Sequence, residues 1–354
     1  MRLGDFDYHL PRGLIAQHPP EKRGDSRLMV LDRKAASWEH RPFPDLAEFL
    51  NPGDVLVVND TRVLPARLIG KKESGGKVEI LLVRKRGDCG EEGHSQEWEC
   101  LAQGSGRLRD RTRVFFEEAV EGELSGRTPE GLWRLSLRGR PGEDLDLSLR
   151  RIGFAPLPPY IHRNGDGGLR TKDRERYQTV YAEKEGAIAA PTAGLHFTGE
   201  FLGEIRAKGV QVCSLTLHVG MGTFLPVKSE EVEEHRLEPE YFQLSPGTAG
   251  AVNRAREAGG RVFAVGTTVT RALESSADES GKVHAREGET GLFILPGHCF
   301  RAVDALVTNF HLPRSTLLML VSAFAGREFI LSAYEEAVRQ GYRFYSYGDA
   351  MVIL

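Results

Sequence analysis

The feature that most constrains the fold is a change of hydrophobic pattern along the 354 residues of the chain. From Thr198 to the C-terminus, apolar strand-like runs alternate with helical segments, which favours an α/β core with a largely parallel or mixed sheet. Between about Arg67 and Arg150 the chain shows short strand-like pieces separated by glycine-rich polar turns. Such spacing is typical of a small antiparallel barrel or sandwich. We therefore predict a main α/β domain over residues 1–66 and 152–354, interrupted by an inserted β domain over 67–151.

Local signals place several elements of the main domain. Leu28 to Leu31 and the run VLVV are short and apolar, and we expect buried strands there. Pro44 to Leu50 is predicted as a short amphipathic helix. Thr198 is expected to cap a helix that runs through Lys208, and Gly209 suits the left-handed position after it. The alternation then predicts, in turn, strand VQVCSLTLHV, strand RVFAV, helix TVTRALESSA, strand VDALVTNF, helix TLLMLVSAFA, helix Glu328 to Arg339 and the closing strand YRFYSYGDAMVIL.

Composition excludes several classes of protein. Hydrophobic residues make up 40% and charged residues 27% of the chain, and no apolar run approaches the roughly 18 residues that cross a bilayer. The N-terminal sequence MRLGDFDYHLPRGLIAQ lacks the features of a signal peptide, so we expect a cytoplasmic protein without membrane contact. The four cysteines lie far apart without a Cys-x-x-Cys pair, which predicts free thiols.

The charge balance restricts any contact with nucleic acid to local patches. The net charge is -3 and the sequence pI is about 6.4, so the chain lacks the overall basic character of a non-specific nucleic-acid binder. Each basic cluster is either a solvated face balanced by nearby acids or a local RNA contact. The clusters are Lys71 with Lys72, Arg84 to Arg86, the alternating Arg107, Arg109, Arg111 and Arg113, and the run Arg170, Lys172, Arg174 and Arg176.

Polar residues and glycines gather in the loops that follow the predicted strands. Ligands of α/β sheets bind beyond the carboxyl ends of the strands, where such loops converge. If the alternation is right, these loops share one opening, and His196, His218 and His311 face it together. The small neighbours of His196 would leave its imidazole exposed to a ligand. The alternative is that each histidine caps a helix or satisfies a buried carbonyl. The loops are NDTR, PTAGLHF, LHVGMGTF, VGTT, TNFHLPRST and SYGD.

Other cofactor signatures are weak or absent in the sequence. There is no His-Glu-x-x-His, and the histidines lie on separate loops without regular carboxylate spacing, so we expect no metal site. Neither a Walker A sequence nor a Gly-x-Gly-x-x-Gly after a strand occurs, which disfavours P-loop and NAD chemistry. VGTT before a helix could cradle an anion with backbone N-H groups, although Thr268 could equally be an N-cap.

Several long motifs in one order give the chain a family resemblance. They are VVNDTRVLPARL, PLPPYI, RYQTVYA, AAPTAGLHFT, LHVGMGTFLPV, AVGTT, VDALVTNFHLPRSTLLMLVSAFAG and YRFYSYGDAM. Together they resemble the S-adenosylmethionine:tRNA ribosyltransferase-isomerase family of queuosine biosynthesis. The likeness covers nearly the whole chain and is thinnest between about Arg86 and Arg150.

The resemblance implies a reaction and a fold. In that family the ribosyl part of S-adenosylmethionine moves onto the aminomethyl group of 7-aminomethyl-7-deazaguanine at the tRNA wobble position, giving epoxyqueuosine and releasing adenine and methionine. The family fold is a barrel-like mixed α/β domain with an inserted small antiparallel β-barrel. It further implies S-adenosylmethionine as co-substrate without a prosthetic group, and a tRNA anticodon loop as partner. We expect a monomer.

Such a reaction needs a base, an acid and a neutral attacking amine. Imidazole, with a pKa near 6.5, can either accept or donate a proton at cell pH. We expect His196 and His311 to be the base and the acid, in an order left open, with His218 in reserve. Asp60 and Asp349 are candidates for recognising the aminomethyl cation, and each could equally cap a turn.

The remaining site predictions concern the two substrates. The sulfonium suits an aromatic face, offered by Phe197 or Phe224, although both rings could as easily be core. The methionine carboxylate could lie at the helix start of Thr267 and Thr268. We expect Thr192, Gly194, Gly220 and Gly222 to shape this pocket. A splayed anticodon base would meet arginine and aromatic side chains, for which we predict Arg62, Arg67, Lys71, Lys72 and Tyr177.

Departures from the family pattern leave some roles open. Glu238 stands where family members often carry a second histidine, Leu295 replaces an aromatic, and GHCF replaces a commoner tyrosine-containing version. His235 keeps its place but is left out of the predicted site. Two other functions stay open at this point: an RNA-binding protein whose α/β unit is only a scaffold, and a sugar- or phosphate-handling enzyme that never meets RNA.

Overall fold

A computed structural model of the chain describes residues 1–88, 94–163, 170–220, 222, 227 and 229–354. Contacts divide the chain into two compact units. The main unit comprises Met1–Arg62, Pro158–Arg163 and Gln178–Leu354, and the barrel unit comprises Val63–Leu157 and Asn164–Tyr177. The domain boundaries drawn from the sequence, 1–66 with 152–354 around 67–151, stay a prediction.

The described residues form seventeen strands. In chain order these are β1 Arg27–Asp32, β2 Ser37–Pro42, β3 Val55–Asn59, β4 Thr61–Val63, β5 Arg67–Lys72, β6 Lys77–Asp88, β7 Ser95–Gly104, β8 Thr112–Phe115, β9 Glu121–Arg127, β10 Trp133–Arg138, β11 Lys184–Ala187, β12 Gln211–Leu217, β13 Glu240–Leu244, β14 Val262–Val265, β15 Arg286–Thr290, β16 Ala305–Asn309 and β17 Ala350–Ile353.

Helices connect most of these strands. The α-helices are α1 Leu145–Ile152, α2 Arg170–Arg176, α3 Gly199–Ala207, α4 Pro246–Glu257, α5 Thr267–Ser276, α6 Thr316–Ala325 and α7 Arg327–Arg339. Short 3-10 helices cover Leu3–Phe6, Arg12–Leu14, Phe43–Phe49, Glu117–Ala119, Thr192–His196 and Val232–Glu234. The predicted cap of α3 is confirmed, because the Thr198 side chain accepts a hydrogen bond from the Phe201 amide and Gly209 has a φ of +84°.

Nine strands of the main unit form one mixed sheet in the order β15, β13, β12, β3, β14, β16, β17, β1 and β2. β12, β3, β14 and β16 are mutually parallel, so they end at the same edge of the sheet. β17 runs antiparallel to β16 with Ala350 opposite Asn309, and β1 runs parallel to β17. The residues just before β17 and β1 therefore reach that same edge. It is the edge at which ligands of α/β sheets bind.

Apolar strands form the centre of the main unit. Every residue of β3 and β16 is buried, as expected for parallel strands covered on both faces. One core cluster packs strand residues such as Leu56 and Val307 against Phe43, Phe197 and Phe201. Phe197 is therefore a core side chain without exposed surface, which corrects the prediction that its ring faces the sulfonium.

The barrel unit closes six antiparallel strands into a barrel in the order β10, β7, β6, β5, β8 and β9. Alternating burial along β10 places Trp133, Leu135 and Leu137 inward and Arg134 and Arg138 outward. The predicted fold class, mixed α/β with a separate small antiparallel β-barrel, is confirmed.

Two element predictions are wrong. Pro44 to Leu50 belongs to the 3-10 helix Phe43–Phe49 rather than to an α-helix. The closing strand is confined to Ala350–Ile353, because the preceding residues turn, with Tyr345 at a φ of +72°. This turn places Ser346 to Asp349 before the last strand instead of within it.

Cys100, Cys213 and Cys299 are free thiols, as predicted, and Cys89 lies outside the described residues. Among the described residues, no single helix has the length and apolar composition needed to cross a membrane; the pair α6 and α7, bent by 115°, meets those criteria only when the two are taken together.

Candidate active site

Hydrogen bonds join the loops at the edge where the parallel strands end. Asn59, the last residue of β3, accepts through Oδ1 from the backbone amides of Thr61 and Leu217 at 3.1 and 3.0 Å. Its Nδ2 donates to the backbone oxygen of Leu217 at 2.9 Å and to Oγ1 of Thr268 at 3.3 Å. One buried amide side chain thus joins the ends of β3 and β12 to the start of α5. The structure brings these three predicted loops together.

Asp60 is buried next to this junction. Its Oδ1 accepts from Oγ1 of Thr216 at 2.6 Å, and its backbone oxygen accepts from the amides of Glu183 and Lys184 at 2.7 and 3.2 Å. Within the described part of the chain, Oδ2 has no hydrogen-bond partner. Asp60 therefore anchors the segment that leads into β11 and keeps one carboxylate oxygen available.

His218, held in reserve in the sequence analysis, is the half-buried member of the three predicted histidines. Its Nδ1 lies 2.8 Å from Oγ1 of Thr61, and its ring stacks on Tyr241 with centroids 5.3 Å apart. A Cβ at Gly186 would lie 2.6 Å from Nε2, so only glycine allows this close approach. Nε2 has no hydrogen-bond partner among the described residues. Burial lowers the pKa of His218 from 6.5, and the negative charge of Asp60 partly opposes that shift.

His196 is buried, contrary to the expected exposure. It is 4% exposed and closes the 3-10 helix Thr192–His196, where its ring packs on Phe43 with centroids 5.0 Å apart. Its Nδ1 lies 2.7 Å from Oγ1 of Ser26 and its Nε2 lies 3.1 Å from Nδ2 of Asn309. Burial, with a smaller contribution from Arg23, lowers the pKa of His196 to about 3. The imidazole is neutral at cell pH and both its nitrogens are occupied.

His311 is also 4% exposed, so the prediction that it faces the opening is wrong as well. Its Nε2 lies 3.1 Å from Oγ1 of Thr308, its backbone amide donates to Oη of Tyr334 at 3.2 Å, and its backbone oxygen accepts from Oη of Tyr8 at 2.5 Å. Burial lowers the pKa of His311 to about 3. The loop after β16 thus buries the ring, and two tyrosine hydroxyls hold its backbone.

Asp349 acts as a loop anchor. Its Oδ1 accepts from the backbone amide of Arg27 at 3.0 Å and its Oδ2 from that of Arg343 at 2.8 Å. The carboxylate thus fixes the turn before β17 to the start of β1. This is the turn-capping alternative that the sequence left open.

Three buried oxygens near the 3-10 helix Thr192–His196 have no hydrogen-bond partner among the described residues. They are Thr179 Oγ1, Tyr181 Oη and Asn309 Oδ1. A Cβ at Gly194 would stand 2.1 Å from Tyr181 Oη and 2.7 Å from the Thr179 methyl, so both side chains lie against this glycine. Unsatisfied buried polar groups are rare and cost about 1–3 kcal/mol each. These oxygens are therefore candidates for contacts to a ligand.

The predicted cofactor loops occupy the same edge. Thr267 and Thr268 are buried in the first turn of α5, whose free amides and dipole favour an anion. The Gly220 amide donates to Oε1 of Glu240 at 2.8 Å, and Glu240 forms a buried ion pair with Arg271. Thr192 and Gly222 are half-buried, and Phe224 lies outside the described residues.

The predicted RNA contacts fall in both units. In the main unit, Arg62 is exposed and donates to a backbone oxygen at 2.6 Å. In the barrel unit, Arg67 forms hydrogen bonds of 2.6 and 2.8 Å with a glutamate of β6, Lys71 is exposed, and Lys72 donates to a backbone oxygen at 2.8 Å. Tyr177 is fully buried, so its ring offers no face on which a base could stack.

The described residues contain no group of three or more His, Cys, Asp or Glu side chains that could hold a metal ion. The polar groups at the strand ends are those of an acid-base and hydrogen-bonding site: one accessible imidazole nitrogen, one carboxylate oxygen and several unpartnered oxygens.

Comparison with known proteins assigns the family. The family model for queuosine biosynthesis proteins matches residues 3–353. This chain belongs to that family. Proteins named S-adenosylmethionine:tRNA ribosyltransferase-isomerase from Syntrophotalea carbinolica and Geobacter metallireducens are 52% and 51% identical to it, with complete coverage of both chains. The crystal structure of an S-adenosylmethionine tRNA ribosyltransferase from Thermotoga maritima is 37% identical, covers 99% of this chain and all of its own, and superposes with a TM-score of 0.54.

The site of this queuosine biosynthesis family member includes residues that sequence reasoning missed. Thr179 and Tyr181 lie in the motif RYQTVYA, and Asn309 lies in TNFHLPRST. Both motifs contributed to the resemblance without receiving a role. Neither composition nor turn chemistry explains these two motifs, and this was the signal in the sequence that could have pointed to a functional role. Which of their side chains lack a hydrogen-bond partner depends on tertiary packing, so the sequence could not show it.

Proposed function

We propose that the protein transfers and isomerises the ribosyl group of S-adenosylmethionine onto 7-aminomethyl-7-deazaguanine at the wobble position of tRNA. The products are epoxyqueuosine in the tRNA, adenine and methionine. One observation carries the proposal: relatives bearing that enzyme's name match the chain from end to end at 51% and 52% identity.

The bonds and protons that change in this reaction define which groups the protein must supply. The carbon that carried sulfur loses that bond and the bond to adenine breaks, while the amine nitrogen becomes bonded to the five-carbon unit, which closes into a carbocycle as its ring oxygen becomes the epoxide oxygen. Starting from the neutral amine, the nitrogen and the carbon each lose one proton. One proton leaves with adenine and one goes to solvent. The site therefore needs a proton acceptor, and a carboxylate that recognises the aminomethyl cation before it is deprotonated.

We assign the proton acceptor to His218. It is the predicted histidine with accessible surface, and its Nε2 lacks a partner in the part of the chain that the structure describes. The lowered pKa keeps the imidazole neutral at neutral pH, and the contact of Nδ1 with Thr61 at 2.8 Å orients the ring. His196 is buried with both ring nitrogens bonded, and His311 is buried with Nε2 bonded to Thr308, so neither fits this role.

Asp60 is proposed to bind the aminomethyl cation through Oδ2. Its charge acts on both His218 and Tyr181, as the pKa shifts of these two side chains indicate. The unpartnered oxygens of Thr179, Tyr181 and Asn309 are proposed to bind the hydroxyl groups of the ribosyl part. The first turn of α5 would take the methionine carboxylate, with Thr192, Gly194, Gly220 and Gly222 around it.

The test is adenine release with both substrates. The protein is incubated with S-adenosylmethionine and tRNA carrying the aminomethyl base, and adenine is measured by chromatography. We expect release that requires both reactants. Retention of tRNA on a filter without adenine release would favour the RNA-binding alternative. Release without tRNA would favour a sugar-handling enzyme.

We further propose that the protein acts in the cytoplasm as a monomer, and that its tRNA contacts include the exposed Arg62 and Lys71. The described residues of the candidate site all belong to one chain, which supports the monomer. Gel filtration with light scattering at micromolar concentration would reveal a stable dimer if this is wrong.

A further inference from the structure

The barrel unit carries a basic groove that no part of the proposed reaction uses. Its volume is about 760 Å³, and it runs between the loop after β7 and the ends of β9 and β10. Residues lining it include Gly106, Arg107, Arg109, Arg127 and Trp133. All of them belong to the barrel unit, so the groove is complete within it.

The arginines of this groove differ from several others of the barrel unit in their ion pairing. Arg84 and Arg86 pair with Glu99, and Arg113 pairs with Glu121. In contrast, Arg107 and Arg109 are exposed and form no ion pair with any described residue.

The groove also holds one carboxylate. Asp110 accepts a hydrogen bond from the backbone amide of Gly126 at 2.6 Å. Its carboxylate therefore stabilises the loop, and it forms no ion pair with the groove arginines among the described residues. Cations gathered without counter-charge repel one another, and an anionic ligand relieves that repulsion.

A second observation points to a ligand. Trp133 is 6% exposed, and its indole Nε1 has no acceptor among the described residues. The guanidinium of Arg127 lies 4.4 Å above the Trp133 ring and donates to a backbone oxygen at 2.9 Å, which holds it in place. The exposed Arg127 guanidinium thus forms a cationic platform over the buried Trp133 ring, whose buried N-H has no acceptor among the described residues.

We propose that this groove binds the sugar-phosphate backbone of the substrate tRNA. Arg107 and Arg109 would contact phosphates, and Trp133 Nε1 would donate to a phosphate or ribose oxygen. Lys72 extends the surface, because its Nζ donates to the backbone oxygen of Ser105 at the start of the same loop. An acidic protein segment is disfavoured because the fixed arginine-indole platform suits nucleotides and backbone oxygens. The proposal rests on tRNA being the substrate.

The test compares two double variants of equal charge. Arg107→Gln/Arg109→Gln removes the groove cations, and Arg134→Gln/Arg138→Gln removes two exposed arginines of β10 that do not line it. Filter binding of an unmodified tRNA transcript is measured across KCl concentrations. We expect the groove variant to bind about tenfold more weakly and to lower the slope of log K against log salt by about 1–2. Its KM for tRNA should rise, while kcat at saturating tRNA and the KM for S-adenosylmethionine stay unchanged; every value for the control should equal that of wild type.

Trp133→Phe keeps an aromatic ring and removes the donor. It should weaken tRNA binding without changing the salt slope, since no charge is lost. Equal binding by the groove variant and the control would overturn the proposal, as would loss of poly-glutamate binding with intact tRNA binding. If wild type releases no adenine while the groove variant still loses tRNA affinity, the reaction assignment fails and the groove assignment survives.

Discussion

The Nδ2 amide of Asn309 donates to Nε2 of His196 across 3.1 Å and to the backbone oxygen of Tyr345 across 3.1 Å. An amide nitrogen only donates, so Nε2 must accept and the ring proton must lie on Nδ1, facing Ser26. His196 therefore joins the residue before β1 to the end of β16, and Asn309 continues the link to the turn before β17. These contacts give His196 a structural role in assembling the strand-end edge.

Replacing His196 with alanine should destabilise the fold. The change leaves Ser26 and Asn309 without their partner and opens a cavity against Phe43, which together should lower the free energy of unfolding by about 2–4 kcal/mol. Urea unfolding at pH 7.5 measures this. Lost turnover with unchanged stability would return His196 to a catalytic role.

Acid should destabilise the protein through its buried histidines. The unfolded chain binds the His311 proton near pH 6.5 and the folded chain only near pH 3, so the unfolded state holds more protons between these values. The stability contribution is complete above about pH 6.5 and falls as the pH falls toward 3. Between pH 7.5 and 5.0, the free energy of unfolding of His311→Asn should fall by about 2 kcal/mol less than that of wild type. His9→Asn, at an exposed position, is the matched control; equal losses in all three proteins would refute the prediction.

His218→Gln should remove the proposed proton acceptor with little loss of structure. We expect kcat to fall by about 10²–10⁴. In wild type the rate should rise with pH as His218 loses its proton, with a midpoint below 6.5 because burial lowers its pKa. The variant should lack this rising limb. A variant that keeps both kcat and the pH profile would exclude His218 as the base.

Tyr181→Phe separates ligand binding from stability. The hydroxyl has no hydrogen-bond partner among the described residues, so its loss should leave the free energy of unfolding unchanged or raise it, while kcat/KM falls by about tenfold to a hundredfold. Tyr342→Phe is the contrast, because Tyr342 Oη bonds to Nδ1 of His40 at 2.8 Å. That variant should lose about 1 kcal/mol of stability and keep its activity. If Tyr181→Phe behaves in the same way, the hydroxyl is structural.

Gly194→Ala should block the site sterically. The new methyl would stand 2.1 Å from Tyr181 Oη, which costs about 1–3 kcal/mol and displaces the side chain proposed to touch the ribosyl group. Gly199→Ala, which meets nothing within 4 Å in the first turn of α3, should be neutral or stabilising. Thermal unfolding and adenine release are measured on both. Full activity of Gly194→Ala would show that Tyr181 can move away without consequence.

The periodicity and turn chemistry of the sequence established the fold class, the cap at Thr198 and the convergence of the strand-end loops. These properties are local: a period of two or 3.6 residues, a capping side chain and a glycine after a helix are each set by neighbours along the chain. The long motifs established the family.

Only the tertiary structure decided which polar groups at that edge are available for chemistry. His196, His218 and His311 lie at similar loop positions in the sequence, yet two are buried while His218 is half-buried and keeps a ring nitrogen without a partner among the described residues. The availability of a side chain depends on what packs against it from distant segments, such as Ser26 and Phe43 against His196. Local pattern carries no information about such contacts, because burial and partnership are properties of the assembled sheet.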